Sequence, residues 1–399
     1  MPFTFSAPRV LTGVADLAPG WVQVDSATGT VLAVGPGAPP SVADVDVETG
    51  ALVPGLVDTQ LNGAFGVDLA GTDPDSWSLV VRRLPEHGVT AFVPTFITAP
   101  IEELAAGLRG YTSVRAALDA LPAAARTLGV HIEGPFLAEG RRGAHRLECL
   151  IDPTPGALAV LLDAGRGVLS YVTLAPERAG ALDAIRTLTE AGVRVSVGHS
   201  DADERLVHAA ADAGATLVTH LYNAQRPLHH RGPGVVGAAL VDDRLTCGLI
   251  VDGHHVVPAA VRVAFAAAPG RIMLVTDAVA ALGMPDGTYV LGGEQITVRA
   301  GSPPRRADGT IAGAAGRLDD AIGLSVAAGV PLQAAVEAAT RIPADALGHR
   351  HLGRIAPGLP ADLVWLAPDG DHPLRARATW IGGRVAHHDG SLATLDPVT

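Results

Sequence analysis

The stretch Val193-Arg194-Val195-Ser196-Val197-Gly198-His199-Ser200 decides the reading of this chain, together with its echo Thr216-Leu217-Val218-Thr219-His220-Leu221-Tyr222-Asn223. Each is an apolar, β-branched run that closes on a histidine, and residues 202–214 between them carry apolar side chains at helical spacing. Near-continuous apolar runs read as strands covered on both faces, and a helix between two of them reads as a parallel crossover unit.

The same unit recurs in both directions. Runs at 51–57, 91–96, 128–132, 168–174, 246–251 and 271–275 bring the number to eight, and helices are expected over 76–87, 101–118, 180–191 and 258–268. Eight alternating units predict an α/β fold, a (β/α)8 TIM-type barrel. An open doubly wound sheet is the competing reading, but no G-x-G-x-x-G follows a strand. The two ends differ from the centre. Residues 1–52 and 353–399 hold short strands broken by Gly, Pro and Asp, such as Val22-Gln23-Val24 and Asp362-Leu363-Val364-Trp365-Leu366. Neither end has enough strands for a stable sheet alone, so both termini are expected to form one small β-sandwich domain beside a barrel of residues 53–352.

Composition bounds the function. Of 399 residues 48% are hydrophobic, which excludes a disordered chain. The formal net charge of −12 argues against nucleic acid or an anionic membrane as partner. Residues 1–10 lack a basic segment leading into an apolar one, and no apolar run is long enough to span a bilayer. Two cysteines, Cys149 and Cys247, make no disulfide framework and read as buried free thiols. A cytoplasmic protein is therefore expected.

A barrel carries its chemistry where the strands end at the C-terminal face. The runs here end in Asp58-Thr59-Gln60-Leu61-Asn62, Glu133-Gly134-Pro135, His199-Ser200, His220-Leu221-Tyr222-Asn223, Asp252-Gly253-His254-His255 and Thr276-Asp277. Singly, such residues are caps or surface groups. Together, Glu133, His199 and His220 form the one-carboxylate, two-imidazole set of a catalytic metal site with a fourth position open. Such a site lowers the pKa of water and polarises a carbonyl, and Asp277 is the candidate that moves the proton.

Six segments resemble a known family. Residues 54–63, His131-Ile132-Glu133-Gly134-Pro135-Phe136, 198–202, His220-Leu221-Tyr222-Asn223-Ala224, Asp252-Gly253-His254-His255-Val256 and Thr276-Asp277-Ala278 are similar, in order, to the N-acetylglucosamine-6-phosphate deacetylases of the amidohydrolase superfamily. The resemblance implies a metal-dependent barrel with a small β domain. It implies metal ligands Glu133, His199 and His220, with Asp277 as general base and acid. Gln60-Leu61-Asn62 stands where many amidohydrolases carry His-x-His, so one divalent ion, zinc, is expected. Ala144 and His145 match a substrate contact, with His145 helping to polarise the acetyl carbonyl. Asn223, Ala224, Arg231 and His255 match sugar-phosphate contacts, and Gln60, Asn62, Asp252, Ile311, Ala312 and Gly313 are counted with the substrate contacts. The family pattern is a homodimer in which Arg231 and His255 reach the neighbouring subunit's site. The implied reaction is hydrolytic deacetylation of N-acetylglucosamine 6-phosphate to glucosamine 6-phosphate and acetate in amino-sugar catabolism. Its rivals are another N-acetyl amino sugar, another amide, or a catalytically silent sugar-phosphate binding protein. The chain departs from the family at Gln225, where Met is usual, at Arg146-Leu147, where Asn-Pro is usual, and at Ala312–Ala315, where hydroxyl side chains are usual. Arg141-Arg142 reads as a solvated pair, and His229-His230 and His387-His388 as surface histidines.

Overall fold

The computed structural model describes residues 2–70, 73–370 and 372–392, so residues 393–399 of the expected C-terminal β segment lie outside the described residues. At the centre, eight parallel strands run in sequence order: β1 (Leu56–Leu61), β2 (Val89–Ile97), β3 (Val130–Glu133), β4 (Leu169–Leu174), β5 (Arg194–Val197), β6 (Leu217–Val218), β7 (Thr246–Ile250) and β8 (Ile272–Val275). The barrel closes through Asp277 N–H to Gln60 O (3.0 Å) and Asn62 N–H to Ala278 O (2.8 Å). That closure brings the first and last strand ends, both rich in polar residues, side by side.

Helices α1 (Pro74–Arg83), α2 (Ile101–Asp119), α3 (Pro155–Ala164), α4 (Ala181–Glu190), α5 (Glu204–Ala213), α6 (Gly234–Val241), α7 (Pro258–Ala267) and α8 (Leu318–Ala327) surround the strands. In α4 the buried set is Ala181, Ala184, Ile185 and Leu188, the i, i+3, i+4, i+7 stripe of a helix laid on a sheet. Ile185 and Leu188, both fully buried, contribute about 1.5–3 kcal/mol each, so the stripe outweighs the modest helix propensity of Thr187 and Thr189. Asp203 caps α5 by accepting from Leu206 N–H (3.0 Å), and Gly214 ends it at φ +117°.

The expected run 51–57 is two strands, not one. Ala51–Pro54 belongs to a six-stranded terminal sheet, where it lies antiparallel to Leu363–Asp369. Only after Gly55 does the chain enter the barrel, and a Cβ there would collide with Thr90. A four-stranded sheet containing Pro2–Ala7 and Gly20–Asp25 faces the six-stranded one across Phe5, Val22, Leu52, Leu363 and Trp380, so both termini do share a sandwich. Asp319 at the start of α8 is fully buried and ties this sandwich to the barrel, accepting from Ala376 N–H (2.9 Å) and pairing with Arg317 (2.6 Å).

A feature absent from the sequence reading is the antiparallel sheet Gly287–Leu291, Glu294–Arg299 and Ser302–Arg305, inserted after β8. Its Leu291, Ile296 and Val298 pack on Val279, Ala312 and Ile97, laying the sheet beside the barrel mouth. Arg306 fastens it by donating to Ala144 O (2.7 Å).

Candidate active site

A cavity of about 370 Å³ opens at the C-terminal end of the barrel. Asn62, Glu133, Ala144, His145, His199, His220, Asn223, Ala224, His255, Asp277, Ile311 and Gly313 all contribute to its wall. His199 (φ 48°), His220 (φ 29°) and Asp277 (φ 50°) each stand two residues past a strand end and sit in left-handed backbone. Such a conformation costs a non-glycine residue roughly 1–3 kcal/mol, and it persists because neighbouring bonds hold it. Leu221 N–H, for example, donates to Gly248 O (2.7 Å) and Asp277 N–H to Gln60 O. The strained turn is what redirects each side chain from the strand axis into the cavity.

Glu133 Oε1, His199 Nε2 and His220 Nε2 form a triangle with edges of 3.2, 3.1 and 3.1 Å. Tetrahedral ligands about 2.0–2.1 Å from a metal stand about 3.3 Å apart, so the triangle has the right size. Its chemistry also demands a cation. His199 Nδ1 lies 2.8 Å from Arg141 O, a carbonyl that can only accept, so the neutral ring carries its proton there and presents a lone pair at Nε2. Three electron-rich atoms facing one another repel unless a proton or metal ion lies among them. Burial works to raise the Glu133 carboxyl, but the two imidazoles hold it well below the usual range. Burial likewise works against a charged His220, but its bond to Glu133 raises it. His145 also lies close enough to Glu133 and His199 to be counted with a metal-binding group.

Asp277 is braced by two amides. Gln60 Nε2 bridges Glu133 Oε2 (3.2 Å) and Asp277 Oδ1 (3.1 Å), and Asn62 Nδ2 donates to the same Asp277 oxygen (2.8 Å). Burial first, then the charge of Glu133, push the Asp277 carboxyl up to about 6, a value suited to taking and returning a proton near neutrality. Among the described residues Asn62 Oδ1 has no hydrogen-bond partner, which leaves a buried acceptor at the cavity wall. Burial, with His199 beside it, lowers His145 to about 3, so that ring is neutral.

Several expected residues stand elsewhere. Gln60 acts from behind the wall, through Glu133 and Asp277. Asp252 also lies behind it, accepting from His255 Nδ1 at 2.7 Å. His255 lines its own chain's cavity. Arg231 does not line the cavity and is exposed in the loop between Asn223 and α6. Ala312 is fully buried under the inserted sheet, so the lost hydroxyl there would have met apolar groups. Arg141 is half-buried at the cavity wall and paired with Asp201 (2.7 Å), whereas Arg142 is exposed, so the solvated-pair reading holds for one of the two. Exposed His229 and His230 make no approach to the site, nor do His387 and His388 on the edge strand Arg384–His388.

Two residues at the site were assigned no role from the sequence. Thr98, one residue past β2, bonds His145 Nδ1 through its hydroxyl (2.7 Å); the strand-end rule, applied to the second run, points to it. Gln225 is buried and clamps the His220 turn, donating to Thr219 O (2.7 Å) and accepting from Tyr222 N–H (3.2 Å). No local sequence signal distinguishes that role.

Comparison with known proteins agrees with the geometry. A model of the amidohydrolase family matches residues 51–386. A Danio rerio protein named N-acetylglucosamine-6-phosphate deacetylase is 38% identical, with 85% of each chain covered. An Escherichia coli O157:H7 protein named N-acetylgalactosamine-6-phosphate deacetylase is also 38% identical, covering 92% of this chain and 96% of that one. A Mycobacterium smegmatis N-acetyl-D-glucosamine-6-phosphate deacetylase, solved as a D267A mutant with N-acetyl-D-glucosamine-6-phosphate, superposes with a TM-score of 0.89 at 41% identity, covering 96% of this chain and 99% of that one.

Proposed function

The chain belongs to the amidohydrolase family, among the N-acetylglucosamine-6-phosphate deacetylases, and on that premise we propose that it hydrolyses N-acetylglucosamine 6-phosphate to glucosamine 6-phosphate and acetate. The observation that carries the reading is the Glu133–His199–His220 triangle facing a braced Asp277 across one cavity. We assign the three triangle residues as ligands of one zinc ion, since two imidazoles and a carboxylate suit that metal. When bound, the ion makes water acidic and polarises the acetyl carbonyl.

The chain's own groups complete the chemistry. Asp277 takes the proton of the attacking water as its oxygen bonds the amide carbon, then gives that proton to the nitrogen as the C–N bond breaks. Gln60 and Asn62 hold Asp277 in place through N–H donors. His145 donates to the carbonyl oxygen as negative charge gathers there. Asn62 Oδ1 accepts from the sugar or its amide N–H, and Asn223, Ala224 and His255 position the sugar. The phosphate is met by Arg231 of a second copy, since a planar guanidinium binds phosphate bidentately and Arg231 stands outside its own cavity. This makes the working unit a homodimer in the cytoplasm, where phosphorylated sugars are held. Among the described residues no helix is long and apolar enough to cross a membrane.

Metal analysis and acetate release on a panel of phosphorylated and unphosphorylated N-acetyl sugars test the proposal. One zinc per chain is expected, with turnover confined to phosphorylated sugars. The panel includes the galacto epimer, because a relative of equal identity bears that name. Asp277→Asn is expected to keep the metal and lose about 10²–10⁴-fold in kcat. Inactivity on every phosphorylated sugar, or near-normal turnover by Asp277→Asn, overturns it.

A further inference from the structure

We propose that Thr98 is a positioning residue that holds the neutral His145 ring in the Nε2–H tautomer, making it a hydrogen-bond donor to the reacting carbonyl and unfit to ligate the metal. The inference rests on the carbonyl-polarising role given to His145 above, and it concerns a residue outside the metal and proton-transfer groups. Thr98 is buried directly after β2, and two of its groups converge on the same ring nitrogen. Its hydroxyl lies 2.7 Å from His145 Nδ1, and its backbone N–H points at that nitrogen from 3.4 Å. A backbone N–H can only donate, so a proton on Nδ1 would be set against another proton. The hydroxyl has a second acceptor, Glu133 O, but at 3.2 Å it is the longer contact. With Nδ1 accepting, the neutral ring carries its single proton on Nε2, the nitrogen left for the cavity.

The contrast with His199 is internal to the same site. There Nδ1 faces the Arg141 carbonyl, an obligate acceptor, and the lone pair falls on Nε2. Two edge-to-face histidines with ring centroids 4.5 Å apart are thus set in opposite tautomers, one by an acceptor and one by donors. The geometry thereby sorts a crowded Glu133–His145–His199–His220 cluster into three ligands and one donor. Proximity alone groups His145 with Glu133 and His199, and the tautomer is what removes it from the ligand set.

The test uses metal-loaded protein labelled with ¹⁵N-histidine, in which long-range ¹H–¹⁵N spectra distinguish a protonated ring nitrogen from a bare one. The His145 signals are assigned as those lost in His145→Gln. Expected is a bare Nδ1 and a protonated Nε2 in the wild type, and an Nδ1–H fraction appearing in Thr98→Val. Thr98→Val should lose about 10-fold in kcat with KM within about 2-fold and metal content unchanged, the loss of one hydrogen bond to a polar group. Thr98→Ser, which keeps the hydroxyl, should recover both the spectrum and the rate. A proton on His145 Nδ1 in the wild type, or Thr98→Val with unchanged kcat and spectrum, overturns the proposal. The spectrum needs no turnover, so a protein with the expected tautomer but no deacetylase activity refutes the assigned reaction and leaves the tautomer assignment standing.

Discussion

Asp58 lies fully buried at the level of β1 and bonds Thr276 through both its hydroxyl (2.5 Å) and its backbone N–H (3.2 Å). Burial raises its carboxyl from 3.8 to about 7, against the pull of those donors. Between these values the native state keeps a proton that the unfolded chain has released. Its contribution to stability is therefore full below about pH 4 and lost as pH rises through about 7. Asp58→Asn mimics the protonated form and preserves an acceptor for the N–H donors. Its Tm relative to wild type is expected to be higher at pH 8 than at pH 5, a gain of about 3 kcal/mol for the two pKa units that lie between pH 5 and the native value. An equal Tm difference at both pH values sinks the claim. The strand-end rule marked Asp58 as a site candidate. The structure places it below the cavity, holding the residue before Asp277, because β1 runs on to Leu61 and carries Asp58 into the barrel interior.

At the scale of elements, the strands and helices were legible and the turns between them were not. Apolar runs and helical stripes are local patterns, so seven of the eight expected barrel runs match a single strand within a few residues. The first run straddles two sheets, because Ala51–Pro54 and Leu56–Leu61 are equally apolar and only their partners differ. The turn after β6 shows what local pattern misses. His220, Tyr222 and Ala224 all have positive φ, and Gln225 holds them by bonds to Thr219 O and Tyr222 N–H. Methionine, usual in the resembled family, makes neither bond. Gln225→Met is expected to destabilise the protein by about 1–3 kcal/mol, the cost of orphaning buried backbone groups, and to release metal faster to a chelator. Unchanged Tm and unchanged metal retention would show that the turn does not depend on this side chain.

For the whole molecule, the charge of −12 and the expected phosphate ligand are reconciled locally. Arg141 lines the cavity wall and is paired with Asp201, and the cation proposed for the phosphate is Arg231 of a second copy. Mixing subunits tests this. A dimer of one Arg231→Ala chain and one Asp277→Asn chain has one site with both groups intact if Arg231 acts across the interface. Random pairing then restores about a quarter of wild-type activity. No recovery from two inactive parents in a confirmed mixed dimer would place Arg231 in its own chain's site.

The division between pattern and packing follows from the range of the forces involved. Fold class, the pairing of the two termini and the polar strand ends are written in short-range periodicity, since burial of one face constrains residues two to four apart. The triangle of Glu133, His199 and His220 depends on atoms 21 to 87 positions apart meeting within 3.2 Å, and the opposite tautomers of His199 and His145 and the inserted sheet beside the mouth likewise rest on contacts between residues far apart in the chain. Barrel closure brings those atoms together, and the protons then settle on whichever nitrogen faces an acceptor.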